Sequence, residues 1–206
     1  KSPFIGVFKS VFVKSNRTKK RNITKDSFKI LEAASCLTNV EERAVELFLL
    51  LFYFGGQDLK DVYYLKRSSV ANGRVYFLRG KLDGAGYEFD LKIVSKAQKI
   101  IDKHSVAGEF VFPWRKDFTG YKTFRDNFRR NLIKAQFKLN INVMPLGGSL
   151  GIKVARHSFA TIAKNLFIDS DLLRELMGHE RNDVDTIYKD KYPENVRDSA
   201  HLQVID

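Results

Sequence analysis

Apolar residues recur along this chain with two periods, and the way the periods alternate predicts helices arranged around one short β-hairpin. Thr24 is placed to cap a helix whose apolar positions are Phe28, Leu31 and Ala34. A second helix is predicted from about Glu41 to Phe54. There Ala44, Val45 and Leu47 through Phe54 are apolar on nearly every side, as expected of a buried central helix. Gly55-Gly56 stops it. Between 74 and 92 the period changes to two. Val75, Phe77, Tyr87, Phe89 and Leu91 alternate with other residues around a turn containing Gly80, Gly84 and Gly86, which predicts a hairpin. Helical spacing returns around Ile100-Ile101. A strand-like run from Phe110 to Trp114 is closed by Pro113. From Tyr121 to about Leu139 the stripe Tyr121, Phe124, Phe128, Leu132 and Ala135 predicts a long core helix, and Leu146-Gly-Gly-Ser-Leu150 reads as a flexible connector. Beyond it, Asp169 is a natural cap for a short helix through Leu172, Leu173 and Leu176 that stops at Gly178. The fold class that follows is mainly α with a small antiparallel β-hairpin sheet, an α+β domain.

At 206 residues with 44% apolar composition, one domain with a substantial core is expected. The net charge of +12 suits a polyanionic partner such as nucleic acid, or less readily an anionic membrane surface. That charge is uneven. Residues 151–206 hold 8 Lys and Arg against 10 Asp and Glu, so the positive surface belongs to the first three quarters of the chain. Residues 1–25 contain Lys14, Arg17, Lys19, Lys20, Arg21 and Lys25 with no acidic residue, and either a solvated linker or phosphate contact fits them. On the helix from Tyr121, the residues Lys122, Arg125, Arg129, Arg130, Lys134 and Lys138 surround the core stripe with Asp126 opposing them. They can track a phosphate backbone or form a solvated face. The one cysteine, Cys36, excludes an intramolecular disulfide, and its neighbours Ala33, Ala34 and Leu37 predict a buried thiol in a reducing compartment. No apolar run reaches the roughly 18 residues of a membrane span, and no signal-peptide pattern opens the chain, so a cytoplasmic protein is expected. It begins Lys1-Ser-Pro without an initiator methionine and reads as a fragment.

Chemistry concentrates between Lys153 and Tyr188. Lys153 and Arg156 stand at i, i+3, about 5–6 Å apart at Cβ on one helix face, where two cations can bracket an anion. His179 lies just past the predicted helix end. An unbroken helix from there to Tyr188 would turn about 100° per residue and place them on opposite faces, so the Asn182-Asp183 break is needed for both to reach one site. Asp183, Asp185 and Asp190 do not converge as a metal site, and neither a metal nor a cofactor is called for.

The run Ala155-Arg156-His157-Ser158-Phe159-Ala160-Thr161, then Leu176-Met-Gly178-His179, then Tyr188 nine residues after His179, resembles the second half of the tyrosine recombinase (phage integrase) catalytic domain. In that family an H-x-x-R-H box, an L-G-H box and a nucleophilic tyrosine follow in this order. The resemblance implies attack of the Tyr188 oxygen on a DNA phosphodiester, with Arg156 as the phosphate clamp, His179 as donor or proton carrier, and Lys81, in the hairpin turn, as general acid for the leaving oxygen. Lys153 stands where the family has histidine; an ammonium can bind phosphate but while protonated accepts no proton. His157 is expected to be structural, and Tyr192 is a competing tyrosine at a poorer spacing. Matching Gly56 and Asp61 to the family's first arginine box puts Asp58 where the arginine belongs, with Lys60, Arg67 and Arg79 as possible replacements.

The resemblance also implies that residues 1–22 are a basic linker from a core-binding domain, that 23–206 form the catalytic domain, and that a tail from about 193 docks on a neighbour in a homo-tetramer on double-stranded DNA or packs on its own domain. Lys19, Lys20, Arg21, Arg79, Lys122, Arg125 and Arg129 are the expected DNA contacts. A bacterial, nucleoid-associated integrase or site-specific recombinase of a mobile element is the leading expectation. A DNA-binding or architectural protein with a decayed site, and a topoisomerase IB-like nicking enzyme, are the alternatives.

Overall fold

Two threonines start the first two helices. The computed structural model describes residues 20–79, 87–179 and 190–206. Thr24 Oγ1 accepts from the N–H of Ser27 at 3.2 Å and opens α1, Lys25–Glu32. Thr38 opens α2, Asn39–Tyr53, two residues ahead of the expected start, and its N–H donates to Glu41 Oε2 at 3.0 Å. Every residue from Leu47 to Phe54 is buried, so α2 is the central helix its sequence predicts. Phe52 collects the layers around it: the Phe28 ring of α1 stacks on it at 3.8 Å, and Phe159 meets it edge-on at 5.8 Å.

Asp58 caps α3, Leu59–Tyr63. A three-stranded antiparallel sheet follows, ordered β1 (Val70–Ala71), β2 (Arg74–Arg79), β3 (Tyr87–Lys92). Val75 pairs with Leu91 and Phe77 with Phe89, and these four side chains are buried on one face, as the period-two pattern requires. The short first strand is an addition to the expected hairpin. Asn72-Gly73, with φ of 52° and 71°, forms the two-residue turn into β2 that this dipeptide favours.

The remaining elements are α4 (Ser95–His104), α5 (Trp114–Asp117), α6 (Tyr121–Lys138), α7 (Ile152–Asn165), α8 (Ser170–Leu176) and α9 (Glu194–Ile205). α6, α7, α4 and α1 all pack on α2. The α6 stripe is core: Phe124, Phe128, Leu132 and Ala135 are buried and Tyr121 packs at its edge.

Three expectations are corrected. The 110–114 run is not a strand; Phe110 makes one isolated bridge to Lys66, while Trp114 begins α5 and stacks on Phe112 at 4.2 Å. Cys36 is exposed, because it lies in the turn between α1 and α2 rather than on a helix face. The 146–150 connector is pinned: the Gln136 amide donates to the Ile141 and Gly148 carbonyls, and its oxygen accepts from Leu150 N–H at 2.7 Å.

The tail forms α9 and packs on its own chain, against α7 and α8, burying Ala200, His201, Val204 and Ile205 while Val196 stays exposed. His201 Nε2 donates to the Tyr53 carbonyl at 2.8 Å, and burial holds its pKa down at about 4. Among the described residues no helix is long and apolar enough to cross a membrane.

Lys138 on α6 reaches Glu41 on α2 at 2.6 Å. The Lys138 ammonium and the Thr38 N–H hold the Glu41 carboxyl at about 2, below its ordinary 4.5. A depressed carboxyl contributes stability above its unfolded pKa and loses it as pH falls through the folded one, so this contribution fades from about pH 4.5 to about 2. Glu41→Gln is expected to flatten the acid limb of stability against pH in that window. Chemical denaturation at pH 7 and pH 3 checks this, and parallel pH profiles would refute it.

Candidate active site

The site is assembled by three glycines that let backbones meet. Gly55 and Gly56 follow α2 with φ of 67° and 76°, a conformation that side chains rarely adopt. A Cβ on Gly56 would lie 2.5 Å from Arg156 Cα, and one on Gly55 2.5 Å from the Leu176 carbonyl oxygen. The turn therefore presses directly on α7 and on the end of α8.

The third glycine places the histidine. Asp169 Oδ1 caps α8, accepting from the N–H groups of Asp171 and Leu172 at 2.8 and 3.1 Å. At the other end Gly178 takes φ of 61°. Its N–H donates to Glu175 O and that of His179 to Arg174 O, a paired closure that ends the helix. A Cβ on Gly178 would meet the Phe89 ring at 2.2 Å, so β3 packs against this turn.

Arg156 joins these pieces. Its guanidinium donates to the Gly56 carbonyl at 2.9 Å, to the Met177 carbonyl at 3.0 Å and to His179 Nε2 at 2.7 Å. A guanidinium only donates, so His179 accepts through Nε2. Two of the predicted residues thus meet, held by backbone oxygens that no sequence pattern announces. The Gly55-Gly56 pair was the available signal, since two adjacent glycines after a helix mark a close approach as readily as a stop.

Beside this corner a cleft of about 590 Å³ opens between α6 and the start of α7. Arg21, Arg125, Arg129, Lys153 and His157 line it. Lys153 is exposed here, one turn before Arg156 on α7. Arg125 is steadied by Asp126, whose Oδ1 accepts from Nε and Nη2 at 3.2 and 3.1 Å. Lys122 is exposed in the first turn of α6, and Lys20 is exposed beside Arg21. His157 Nδ1 accepts from the backbone N–H of Arg21 at 3.0 Å, and burial together with Lys153, Arg156 and Lys20 lowers its pKa. It anchors the incoming chain, as does Ser158 Oγ, which accepts from Ile23 N–H at 2.9 Å.

Tyr188, Lys81 and Lys19 lie outside the described residues, as does the Arg79 side chain. Tyr192 is otherwise engaged: its hydroxyl donates to Asp169 Oδ1 at 3.1 Å, at the far end of α8 from His179. The seven residues of α8 span about 10 Å at 1.5 Å each. The Tyr192 hydroxyl is held up in pKa by that same carboxylate.

Asp58 is exposed, and its carboxylate accepts from the Lys60 N–H at 2.9 Å, a helix-capping role. Of the suggested replacements for an arginine there, Arg67 gives its guanidinium to the Val106 and Gly108 carbonyls, and Lys60 is exposed on α3. Between Gly56 and Asp58, Gln57 is 1% exposed, and neither its amide nitrogen nor its oxygen has a hydrogen-bond partner among the described residues. Two buried polar atoms without partners are costly. Gln57→Met, close in volume, is expected to raise stability by about 1–2 kcal/mol. Thermal unfolding checks it, and a fall in Tm would show that the amide has a partner in solution.

Among the described residues no cluster of His, Cys, Asp and Glu could hold a metal ion. The architecture is that of the catalytic domain of tyrosine recombinases. Solved structures that share it include an integrase from mycobacterium phage Brujita, 15% identical, covering 98% of this chain and 68% of its own, with a TM-score of 0.62. The lambda integrase catalytic core is 19% identical over 79% of this chain and 94% of its own, with a TM-score of 0.51. The XerH site-specific recombinase bound to its difH substrate is 16% identical over 85% of this chain, with a TM-score of 0.52; this chain spans 51% of that protein's length. No family model matches the sequence, and no curated protein matches it.

Proposed function

We propose that this chain is the catalytic part of a site-specific DNA recombinase or integrase that cleaves and rejoins DNA through a 3′-phosphotyrosyl intermediate on Tyr188. The observation that carries the reading is Arg156, clamped by the Gly56 and Met177 carbonyls with His179 at 2.7 Å, next to a cleft lined by Arg21, Arg125, Arg129 and Lys153. A rigid guanidinium suits two oxygens of one phosphate, and the cleft offers the neighbouring phosphates a cationic path. Lys19, Lys20, Arg79 and Lys122 extend that path.

In the cleavage step the Tyr188 phenol gives up its proton to solvent as its oxygen attacks phosphorus, the bond to the 5′ oxygen breaks, and Lys81 delivers a proton to that oxygen. The phosphodiester is a monoanion before and after the step, and the extra negative charge that builds on its oxygens in between is stabilised by Arg156 and by a hydrogen bond from His179. A tyrosine of pKa about 10 is a poor nucleophile at neutral pH, so it needs such cations close to its oxygen. Lys153 binds phosphate rather than accepting the phenol proton. No cofactor enters the step. With Asp58 capping α3 and Arg67 occupied, Lys60 and Arg79 are the remaining candidates for the second phosphate cation.

The wider protein is a proposal of the same kind. Residues 1–22 would link to a core-binding domain, 23–206 would be the catalytic domain, and a homo-tetramer on two double-stranded sites, in a bacterial nucleoid, would complete the reaction. Exchange of α9 between protomers would require breaking its packing on its own chain.

The test is covalent trapping of the full-length protein on labelled suicide DNA nicked near the cleavage point. A denaturation-resistant adduct is expected from the parent and not from Tyr188→Phe. Binding of its own site without any adduct would instead support a DNA-binding protein with a decayed site, and adduct appearing only in Asp58→Arg would locate the defect. Relaxation of supercoils without a partner site would support the nicking enzyme.

A further inference from the structure

The short helix α5 takes no part in the site described above, yet it carries an arginine that two aromatic rings hold in place. Trp114 is buried, stacked on Phe112 at 4.2 Å and on Phe124 of α6 at 5.1 Å, which fixes α5 on the core. Its neighbour Arg115 is exposed, and its Cζ lies 4.2 Å from the centre of the Phe110 ring and 5.5 Å from that of Tyr64. Tyr64 is itself 40% exposed and meets the buried Tyr63 ring edge-on at 4.8 Å. Among the described residues no carboxylate is paired with Arg115; Glu109, beside Phe110, pairs with Lys66 at 3.0 Å. A free arginine side chain loses rotamer entropy when it binds an anion, and a guanidinium already resting on two rings has less to lose. Its planar fork of N–H donors is thus kept ready for an acceptor outside the chain.

The place of Arg115 on the molecule names that acceptor. Tyr121, Arg125 and Arg129 stand at i, i+4 and i+8 on α6, a single row about 12 Å long. Arg125 and Arg129 line the cationic cleft, the row ends at Tyr121, and the Tyr121 ring lies 6.5 Å from that of Tyr64. Arg115 takes up the row where α6 stops supplying it, and Lys116 and Lys122, next in the chain to Arg115 and Tyr121, are exposed as well. We propose that Arg115 is a DNA-backbone clamp: Phe110 and Tyr64 hold its guanidinium for a phosphate beyond those bound in the cleft, which lengthens the cationic path past the start of α6. This rests on the functional reading above, which supplies DNA as the polyanion. A phosphate contact carries no sequence information, so the clamp adds affinity and register to whatever site the protein selects.

The test is a binding titration of the full-length protein on two duplexes of equal length and unrelated sequence, between about 50 and 200 mM salt. Arg115→Gln removes the charge and the fork. It is expected to weaken binding to both duplexes by about tenfold at the low-salt end, and to make the slope of log K against log salt shallower by about 0.9, the share of one phosphate. Arg115→Lys keeps the charge and is expected to keep the slope, with affinity reduced about threefold, because an ammonium on a flexible stem is not held in one plane by the rings. Tyr64→Leu leaves Arg115 in place without its second ring and should give a similar loss of about threefold at the parental slope. The Tm of Arg115→Gln should stay within about 4 °C of the parent, which separates lost binding from unfolding. Parental affinity and slope in Arg115→Gln would overturn the inference and leave the function standing, with the ring contacts reduced to surface packing. A loss confined to one of the two sequences would overturn it too, by assigning Arg115 to a base edge. No binding of either duplex by the parent would overturn the functional reading, and this inference with it.

Discussion

Arg156→Lys is expected to slow formation of the DNA adduct by about 10³-fold or more, the scale on which a single arginine acts at phosphoryl-transfer centres. The reason lies in how the side chain is held. The Gly56 and Met177 carbonyls each take one N–H, which fixes the plane of the fork, and the same group reaches His179 at 2.7 Å. Lysine keeps the charge but concentrates it on one nitrogen at the end of a flexible stem, so it cannot hold both carbonyls and two phosphate oxygens in one plane. The loss should fall on the rate at saturating DNA, because the cleft cations Arg21, Arg125, Arg129 and Lys153 still supply affinity. Single-turnover trapping beside a separate binding titration measures it. A parental rate in Arg156→Lys would remove Arg156 from the chemistry and return the site to a merely structural role.

Arg74→Leu is expected to destabilise the domain by about 3–5 kcal/mol, the cost of removing one partner from a buried ion pair. At about 2–4 °C per kcal/mol for a chain of this size, Tm should fall by roughly 10 °C. Arg74 stands on β2 with a side chain 8% exposed, and it meets Asp90 on β3 and both Asp198 oxygens, at 2.9 Å each, and Glu194 on α9. It is the principal charged tie between the sheet and α9, and Arg197 adds a second through Asp90.

Burial raises the Asp90 carboxyl, but the bonds from Arg197 and Arg74 lower it further, so its pKa lies below the ordinary 3.8. A depressed carboxyl contributes fully above its unfolded pKa, so the difference between parent and Arg74→Leu should hold above about pH 4 and shrink below it. Differential scanning calorimetry at pH 7 and pH 3 reads both quantities. A variant as stable as the parent at pH 7 would mean that α9 is held without the Arg74 tie, by its apolar face and the Arg197–Asp90 pair.

The elements were legible because their signals are local. Thr24 and Asp169 cap helices with their own side chains, and the alternation of Val75, Phe77, Phe89 and Leu91 matches the pleat of two paired strands. Leu47 to Phe54 is apolar all round and is buried all round. Where a local signal was ambiguous, packing decided. Phe110 to Trp114 has strand-like composition, yet Phe112 and Trp114 stack against one another and Trp114 against Phe124, so the segment is core filler with one bridge. The glycine-rich 146–150 stretch reads as loose because its restraint comes from Gln136, whose amide lies ten or more residues away.

By itself, then, the sequence determined a helical domain around a hairpin, a strongly cationic first three quarters, and the ordered set Arg156, His179 and Tyr188. Only the tertiary structure decided that Arg156 and His179 touch, that Gly56 and Met177 carbonyls orient them, that Lys153 faces the cationic cleft, and that Tyr192 is bound to Asp169 at the other end of α8. The physical reason is that spacing encodes which face of an element a side chain occupies, whereas backbone carbonyls and close glycine contacts carry no residue type of their own; they become partners only when distant turns pack together.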